Sequence, residues 1–346
     1  MSHSRSKRWP PAGSTARKVS ALSNTQFATI PGEWVKDVAY DSKNGVLHGK
    51  CTGKTKDIFP LTKENGSAFV APSVASCLRH IKEHMPEPRK EKASSRSSRE
   101  GDDFYTFTSF EDAMTTFLDK PYELAVFKEA VSMVKVMDTP GIEIDYDVVG
   151  DDLDMGRFLE GDPLCYSHMV MGNSMSVVAN IYVSTSAPYW VNKSAFAAKV
   201  ARICRLCDWL ETNRVRTRIV ALECNQIGIM EVVVKDFADP MYLPNVAVVA
   251  HGDFLRRIIF RVNEYSDTWS SGYGTAINLN SPSHSKLKPT YGEITVVIDQ
   301  STDVETVESE FDAVERGIAE VIPDINAGKY NGSAEWPLFK VKGYNS

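Results

Sequence analysis

Side chains with ligand oxygens are concentrated directly after segments of this sequence that are rich in β-branched residues. These side chains belong to Ser184, Thr185, Ser186, Asn225, Asp299 and Ser301. Hydroxyl, amide and carboxylate oxygens bind hard cations such as Mg²⁺, and they also form hydrogen bonds with polar ligands. We call these residues the rim and treat them as the candidate site for a ligand or a protein partner.

The segments around the rim alternate between strand and helix patterns. Residues 176–183 and 216–223 are rich in β-branched side chains, and between them residues 194–213 place apolar side chains at helical spacing. This order predicts two parallel strands joined by a crossover helix. Residues 229–235 follow a turn too short for a crossover, so they should pair antiparallel, and residues 292–299 give one more strand.

These elements predict an α/β fold in which a mostly parallel sheet is flanked by helices on both faces. Parallel strands end at a common carboxyl edge, where helix N-termini leave backbone N–H groups able to receive a ligand. The rim should lie at this edge. The alternative is that its small polar side chains only cap helices, which is the commoner role of such residues.

The order of strand, Ser-x-Ser loop, amphipathic helix, strand and antiparallel strand resembles the beginning of a von Willebrand factor A-type domain. In that family an Asp-x-Ser-x-Ser loop holds a divalent cation. Ser184 and Ser186 match the two hydroxyls, whereas Tyr182 stands at the carboxylate position. The resemblance spans about residues 176–325 and implies poor Mg²⁺ binding, unless Asp299 supplies the carboxylate from another loop.

Several phrases resemble an uncharacterised family of proteins from tailed bacteriophages and prophages. They are Asp154–Pro163, residues 176–210, and Phe254–Phe260 following His251. The resemblance would cover about residues 104–325. It implies a viral protein in the host cytoplasm, but it supplies neither an activity nor catalytic residues.

The acidic segment around Asp154 lacks the ligand spacing of an EF-hand calcium loop. It predicts one helical turn that begins at Asp154 and ends at Gly161. We expect Phe158 and Leu159 to pack inward and Arg157 to pair with a neighbouring carboxylate.

Histidines and cysteines offer further candidates for metal or acid–base chemistry. His80 and His84 have the spacing of zinc ligands on a predicted helix, but the motif His-Glu-x-x-His is not met and no third ligand is evident. A solvated helix face is therefore favoured. Cys204 and Cys207 lack a second cysteine pair, so core packing is favoured. His251 lies near a helix start, where a capping or core role is commoner than that of a base.

Composition sets the domain organisation. The chain has 346 residues, 42% hydrophobic and 24% charged, which suits a globular protein. We predict a basic arm at 1–31, a small N-terminal segment at 32–85, a charged Ser-rich linker at 86–103, the α/β domain at 104–330 and a tail at 331–346. The sequence does not decide whether the segment at 32–85 folds independently. The cations of the arm are Arg5, Lys7, Arg8, Arg17 and Lys18. They could contact a nucleic acid, although a solvated terminus is favoured.

The sequence limits the possible functions mainly by excluding classes of protein. No apolar run is long enough to cross a bilayer, no apolar signal-peptide core follows the start, and the cysteines are too sparse for a disulfide scaffold. We therefore expect a cytoplasmic protein. Because no catalytic motif is complete, we expect a non-catalytic accessory protein that binds a viral or host protein through the α/β domain. The alternatives are a divalent-cation-dependent adhesion module and a nucleic-acid-associated protein that uses the basic arm.

Overall fold

The computed structural model describes the helices, the strands and many of the turns that join them. The described residues are 35–52, 66–85, 107, 109–133, 144–147, 152–153, 155–169, 177–186, 191, 193–213, 215–225, 228–265, 293–299, 303–327, 329 and 337–341. The basic arm, the predicted linker 86–103, Asp154 and the rim residue Ser301 lie outside them.

The secondary structure follows the alternation that the sequence predicts. The strands are β1 (Val35–Asp41), β2 (Val46–Cys51), β3 (Ser67–Ala71), β4 (Ile144–Asp147), β5 (Asp152–Leu153), β6 (Tyr166–Met169), β7 (Val177–Ser184), β8 (Val215–Cys224), β9 (Gly228–Lys235), β10 (Glu293–Ile298) and β11 (Leu338–Val341). The helices are α1 (Val74–His84), α2 (Phe110–Asp119), α3 (Ala125–Met133), α4 (Met155–Leu159), α5 (Lys193–Thr212), α6 (Leu243–Ala250), α7 (Phe260–Glu264) and α8 (Val304–Asn326). A 3₁₀ turn at Pro121–Glu123 precedes α3, and a π-helix at Phe254–Ile259 leads into α7.

An eight-stranded sheet, ordered β1-β2-β3-β9-β8-β7-β10-β11, forms the centre of the fold. β7 pairs in parallel with both β8 and β10, and β10 pairs in parallel with β11. β9 pairs antiparallel with β8, as its short connection requires. The predicted α/β fold with a mostly parallel sheet flanked by helices is therefore confirmed.

The N-terminal segment, whose folding the sequence left open, belongs to the same sheet. β1 and β2 form an antiparallel hairpin, β2 pairs with β3, and β3 pairs in parallel with β9. At the other end β11 lies within the predicted tail and extends the sheet beside β10. The sheet thus reaches beyond residues 104–330 on both sides.

Apart from α4, the described helices pack on one face of the eight-stranded sheet, so the prediction of helices on both faces is wrong for these helices. One apolar cluster joins most of these helices to side chains such as Ile181 and Ala221. The second described cluster consists of strand residues, among them Tyr182 and Val220. The two sets alternate along strands such as β7, β8 and β10 because successive side chains point to opposite faces. Hydrophobic periodicity shows that a helix has a buried stripe, but it does not show which face of the sheet that stripe covers.

Polar caps fix where three of the helices begin. The side chains of Ser73, Ser109 and Asp303 accept hydrogen bonds from the backbone N–H groups three residues further on. In α5 the buried stripe includes Lys199 and Arg202, whose long side chains reach polar partners within the structure. None of the helices in the described ranges is long and apolar enough to cross a membrane.

Helix α4 departs from its predicted packing. Phe158 and Leu159 are 53% and 77% exposed, so the prediction that they pack inward is wrong. The predicted ion pair does form, with Arg157 Nη1 at 3.2 Å from Asp162 Oδ2, and Gly161 follows with a φ of 77°. A helix of five residues makes little more than one turn, which is too short to present a continuous apolar stripe to a core.

Candidate functional site

The structure brings the described rim residues to one edge of the sheet. Ser184, Thr185 and Ser186 lie at the end of β7, while Asn225 and Asp299 directly follow β8 and β10. Because these strands run parallel, their carboxyl ends meet. The five side chains are buried, which leaves little surface for a macromolecular partner.

Glu223, which sequence analysis did not single out, lies at the centre of this edge. Its Oε2 accepts hydrogen bonds from Ser186 Oγ at 2.5 Å and from Thr185 Oγ1 at 3.0 Å. Burial raises the pKa of Glu223 to about 7, although the two hydroxyls act in the opposite direction. The available signal was a lone acid inside the otherwise apolar stretch 219–224, because a buried carboxylate requires hydrogen-bond donors.

A buried cation lies beside these oxygens. Lys199 Nζ donates a hydrogen bond to the Ser184 carbonyl at 3.0 Å. Burial lowers the pKa of Lys199 to about 8, against the charge of Asp299. The positive charge of Arg256, in the π-helix, favours the ionised form of Glu223 and so acts to lower its pKa. The charges of Lys199 and Arg256 therefore compensate those of Glu223 and Asp299. A Mg²⁺ site needs carboxylates whose negative charge no cationic side chain compensates, so this edge is poorly suited to Mg²⁺.

Several polar groups of the rim form hydrogen bonds within the protein. Ser184 Oγ accepts the Ser186 N–H at 3.3 Å, and Asn225 Oδ1 accepts the Gly228 N–H at 3.0 Å, closing the turn between β8 and β9. The hydroxyl groups bound to Glu223 complete this network. The arrangement favours a structural role for the rim, exerted through turns and a buried acid rather than through helix caps.

A second cluster of ligand atoms joins β1 to α1, and we call it the Asp–His–His cluster (Asp41, His80 and His84). Asp41 Oδ2 lies 2.8 Å from His80 Nδ1 and 3.4 Å from His84 Nε2. The three donor atoms lie within 4.8 Å of one another. Two ligand atoms of a tetrahedral zinc ion are about 3.4 Å apart, so small side-chain adjustments would admit an ion between them.

Local structure holds the carboxylate of this cluster in place. Asp41 ends β1, and the tight turn that follows returns two donors to it. Lys43 N–H donates to Oδ1 at 3.1 Å, and Asn44 Nδ2 donates to Oδ2 at 2.8 Å. Such supporting hydrogen bonds orient metal-binding carboxylates in proteins. On α1 the spacing of four residues places both imidazoles on one side of the helix, with ring centroids 4.7 Å apart.

The environment also sets the protonation of these groups. Burial lowers the pKa of His80 to about 4, against the opposing effect of Asp41. Burial would raise the pKa of Asp41, but hydrogen bonds from His80 and Asn44 outweigh it and lower that pKa to about 2. The His80 side chain is fully buried, whereas that of His84 is 29% exposed, so the cluster opens to solvent beside His84.

Residues 64–319 match the family model described as a domain of unknown function, DUF7192. This chain belongs to that family. No curated protein and no solved structure matches it. The DUF7192 region contains Glu223, His80 and His84, while Asp41 precedes it in the chain.

This DUF7192 member carried sequence signals for the Asp–His–His cluster. One signal was the spacing of His80 and His84. The prediction that they lie on a solvated helix face is wrong, because His80 is fully buried. With Glu83 they also form the order His-x-x-Glu-His, which reverses His-Glu-x-x-His and occurs in zinc enzymes. Asp41 gave no signal, since it lies 39 residues from His80 and reaches it only through the folded sheet.

The remaining candidates have structural roles in this DUF7192 chain. His251 Nδ1 accepts the Asp253 N–H at 3.2 Å, and its ring packs 5.5 Å from that of Phe107. Burial lowers the pKa of His251 to about 4. Cys204 and Cys207 are buried free thiols of α5, in agreement with the favoured core packing.

Proposed function

We propose that this protein binds a transition-metal ion, with zinc as the best-suited ion, through Asp41, His80 and His84. The observation that carries the proposal is the convergence of three ligand atoms within 4.8 Å of one another. Imidazole nitrogen together with carboxylate oxygen suits zinc and its neighbours, whereas Mg²⁺ and Ca²⁺ prefer oxygen ligands alone.

The folded chain supports this site before any ion arrives. Cys77, Leu78 and Ile81 of α1 are buried in the main apolar cluster, which fixes the rotation of the helix. The side chain of Ser73 caps the same helix through the Ser76 N–H at 3.1 Å. A metal ion would therefore meet ligands that are already oriented, and little conformational entropy would be lost on binding.

The zinc affinity of the full chain tests the proposal. The protein is first stripped of metal with a chelator, and its affinity for zinc is then measured by competition with a chromophoric chelator. We expect one zinc ion per chain. His84→Ala and Asp41→Asn should each weaken binding by at least about 100-fold, because loss of an outer hydrogen bond alone costs about 10–100-fold. Lys82→Ala, an exposed change on the same helix, should leave the affinity unchanged. Equal affinities for all four proteins would refute the site.

Two further readouts sharpen this test. Zinc at about 100 times its Kd should raise the free energy of unfolding by about 2.7 kcal/mol in the wild type. The same set of two histidines and one carboxylate binds Fe(II) in oxygenases, so the competition is repeated with Fe²⁺ without oxygen. A higher affinity for Fe²⁺ than for zinc would change the identity of the bound ion but leave its three ligands as proposed.

Binding of a protein partner, viral or host, is a second candidate function. It is supported by large apolar side chains that remain exposed in one short stretch of the chain, namely Met155, Phe158, Leu159, Leu164 and Tyr166. Exposed apolar groups of this kind often mark interaction surfaces. The double variant Phe158→Ser/Leu159→Ser should lose a co-purifying partner, whereas Val131→Ser, at a separate exposed position, should retain it. Retention by the double variant would count against this function.

A further inference from the structure

We infer that the metal ion at the Asp–His–His cluster keeps one coordination position for water and that Glu83 accepts a proton from that water. This inference deepens the proposed function and rests on it. Structural zinc sites use four protein ligands, whereas catalytic ones use three and leave a position open. Within the described part of the chain, the cluster offers three ligands, Asp41, His80 and His84.

The position of Glu83 suits a base beside the ion rather than a fourth ligand. Asn44 Nδ2 lies 2.8 Å from Asp41 Oδ2 and 3.4 Å from Glu83 Oε2, so one amide group bridges the two carboxylates. A base that reaches a metal-bound water lies about 4–5 Å from the ion, because the ion–water bond is about 2 Å and the hydrogen bond about 2.7 Å. Glu83 is next to His84 in the chain, and the amide bridge holds its carboxylate beside the cluster.

Solvent reaches this side of the cluster. The side chains of Glu83 and His84 are 35% and 29% exposed. Lys43 is 72% exposed, and its Nζ lies 2.5 Å from Glu83 Oε1. The entrance therefore carries an ion pair, and its cation would lose its partner charge when Glu83 takes a proton, which favours substrates that develop negative charge on oxygen at that moment. Esters with an electrophilic carbonyl or phosphoryl group have this property.

The chemistry that follows is hydrolysis. The bound water gives one proton to Glu83, and its oxygen attacks the carbonyl carbon or the phosphorus atom. A new bond to oxygen forms, the bond to the leaving group breaks, and Glu83 returns the proton to the leaving oxygen. Water is the only co-reactant, and nothing is oxidised or reduced.

The decisive comparison is between zinc-loaded wild type and Glu83→Gln, with zinc occupancy measured in both. Gln keeps an acceptor for Asn44 but cannot take the proton. We expect equal zinc occupancy and a kcat/KM lower by on the order of 100-fold in the variant. The probes are 4-nitrophenyl acetate for the carbonyl arm and bis(4-nitrophenyl) phosphate for the phosphoryl arm. Lys82→Ala serves as the matched control on the same helix.

The outcomes separate this inference from the proposed function. If Glu83→Gln works as fast as the wild type, or if neither probe is hydrolysed faster than by free zinc, the hydrolytic role is overturned. The open position is tested independently by the visible spectrum of the Co²⁺-loaded protein. Azide should change that spectrum by displacing water, and an unchanged spectrum would contradict the open site. Failure to bind zinc or Co²⁺ would instead refute the proposed function itself.

Discussion

Ser186 Oγ donates a hydrogen bond of 2.5 Å to Glu223 Oε2, although 37 residues separate the two in sequence. The bond crosses between the ends of β7 and β8, which lie side by side in the sheet. Both side chains are buried, and the pKa of Glu223 is raised by that burial to about 7. Stability at this edge of the sheet should therefore depend on pH.

The first prediction concerns that dependence. Between the ordinary pKa of a glutamate, 4.5, and the folded value of about 7, the unfolded chain has lost the proton that the folded protein still holds. The free energy of unfolding should therefore fall as pH rises through this window, by up to about 3 kcal/mol from Glu223 alone. Glu223→Gln does not titrate and should remove this contribution. Urea unfolding of both proteins from about pH 5 to about pH 8 measures the difference.

The neighbouring charges provide the internal control for this experiment. Lys199, Arg256 and Asp299 are present in both proteins, so the difference between the two curves isolates Glu223 together with its interactions with these charges. A difference that stays constant across the pH range would show that Glu223 does not titrate in that window.

The second prediction assigns the rim hydroxyl a structural role. Ser186→Ala removes the hydrogen bond to Glu223 and should cost about 1–3 kcal/mol, the range for a buried bond to an ionisable group. Ser132→Ala removes a hydroxyl bond on an exposed helix position and should cost no more than about 0.5 kcal/mol. Denaturant unfolding measures both. Unchanged stability of Ser186→Ala, combined with loss of a bound ligand, would favour the binding role instead.

The third prediction concerns how α5 and α8 are joined. The side chain of Arg202 is 5% exposed and bonds Glu308, Asp312 and Glu315 of α8 at 2.8, 2.6 and 3.0 Å. Arg202→Met keeps the apolar stem and removes the charge, which should cost about 1–3 kcal/mol because the acids are only partly buried. Arg205→Met loses a single pair at 3.3 Å and should cost less than about 1 kcal/mol. Equal losses in thermal or urea unfolding would contradict the network.

Sequence patterns were sufficient for elements whose signal is local. The predicted helix at 194–213 is Lys193–Thr212, and the predicted strand at 292–299 is Glu293–Ile298. These features depend on periodicity and on bonds to near neighbours. The five described rim residues also lie at one edge because the direction of parallel strands follows from their connections.

The features that the sequence did not reveal depend on contacts between distant segments. The parallel pairing of β3 with β9 decides that the N-terminal hairpin joins the main sheet, and no local pattern encodes that choice. Asp41 meets His80 because β1, β2 and β3 pair side by side and α1 follows β3, and Glu223 meets Ser186 because β8 lies beside β7. The exposure of Phe158 and Leu159 was misjudged because apolar type indicates burial only where a neighbouring surface exists to cover it.

The fourth prediction uses that misjudged position. Phe158→Ala should change the free energy of unfolding by less than about 0.5 kcal/mol, since the side chain is 53% exposed. Phe311→Ala, in the buried stripe of α8, should cost about 3–5 kcal/mol through lost contacts and a cavity. Urea unfolding of the two variants compares the same substitution in two environments. A large loss for Phe158→Ala would show that α4 packs against another part of the protein.

The fifth prediction tests whether the N-terminal hairpin belongs to the sheet. A Cβ atom on Gly228 would lie 2.4 Å from the Ser67 carbonyl oxygen, where β9 pairs with β3. Gly228→Ala should therefore push β3 away and cost about 1–3 kcal/mol, with β3 amides losing more hydrogen-exchange protection than β7 amides. Gly161→Ala is the control, because its φ of 77° causes backbone strain while its added Cβ meets nothing within 4 Å. If Gly228→Ala leaves β3 protection unchanged relative to that control, the pairing of β3 with β9 that joins the N-terminal hairpin to the main sheet is wrong.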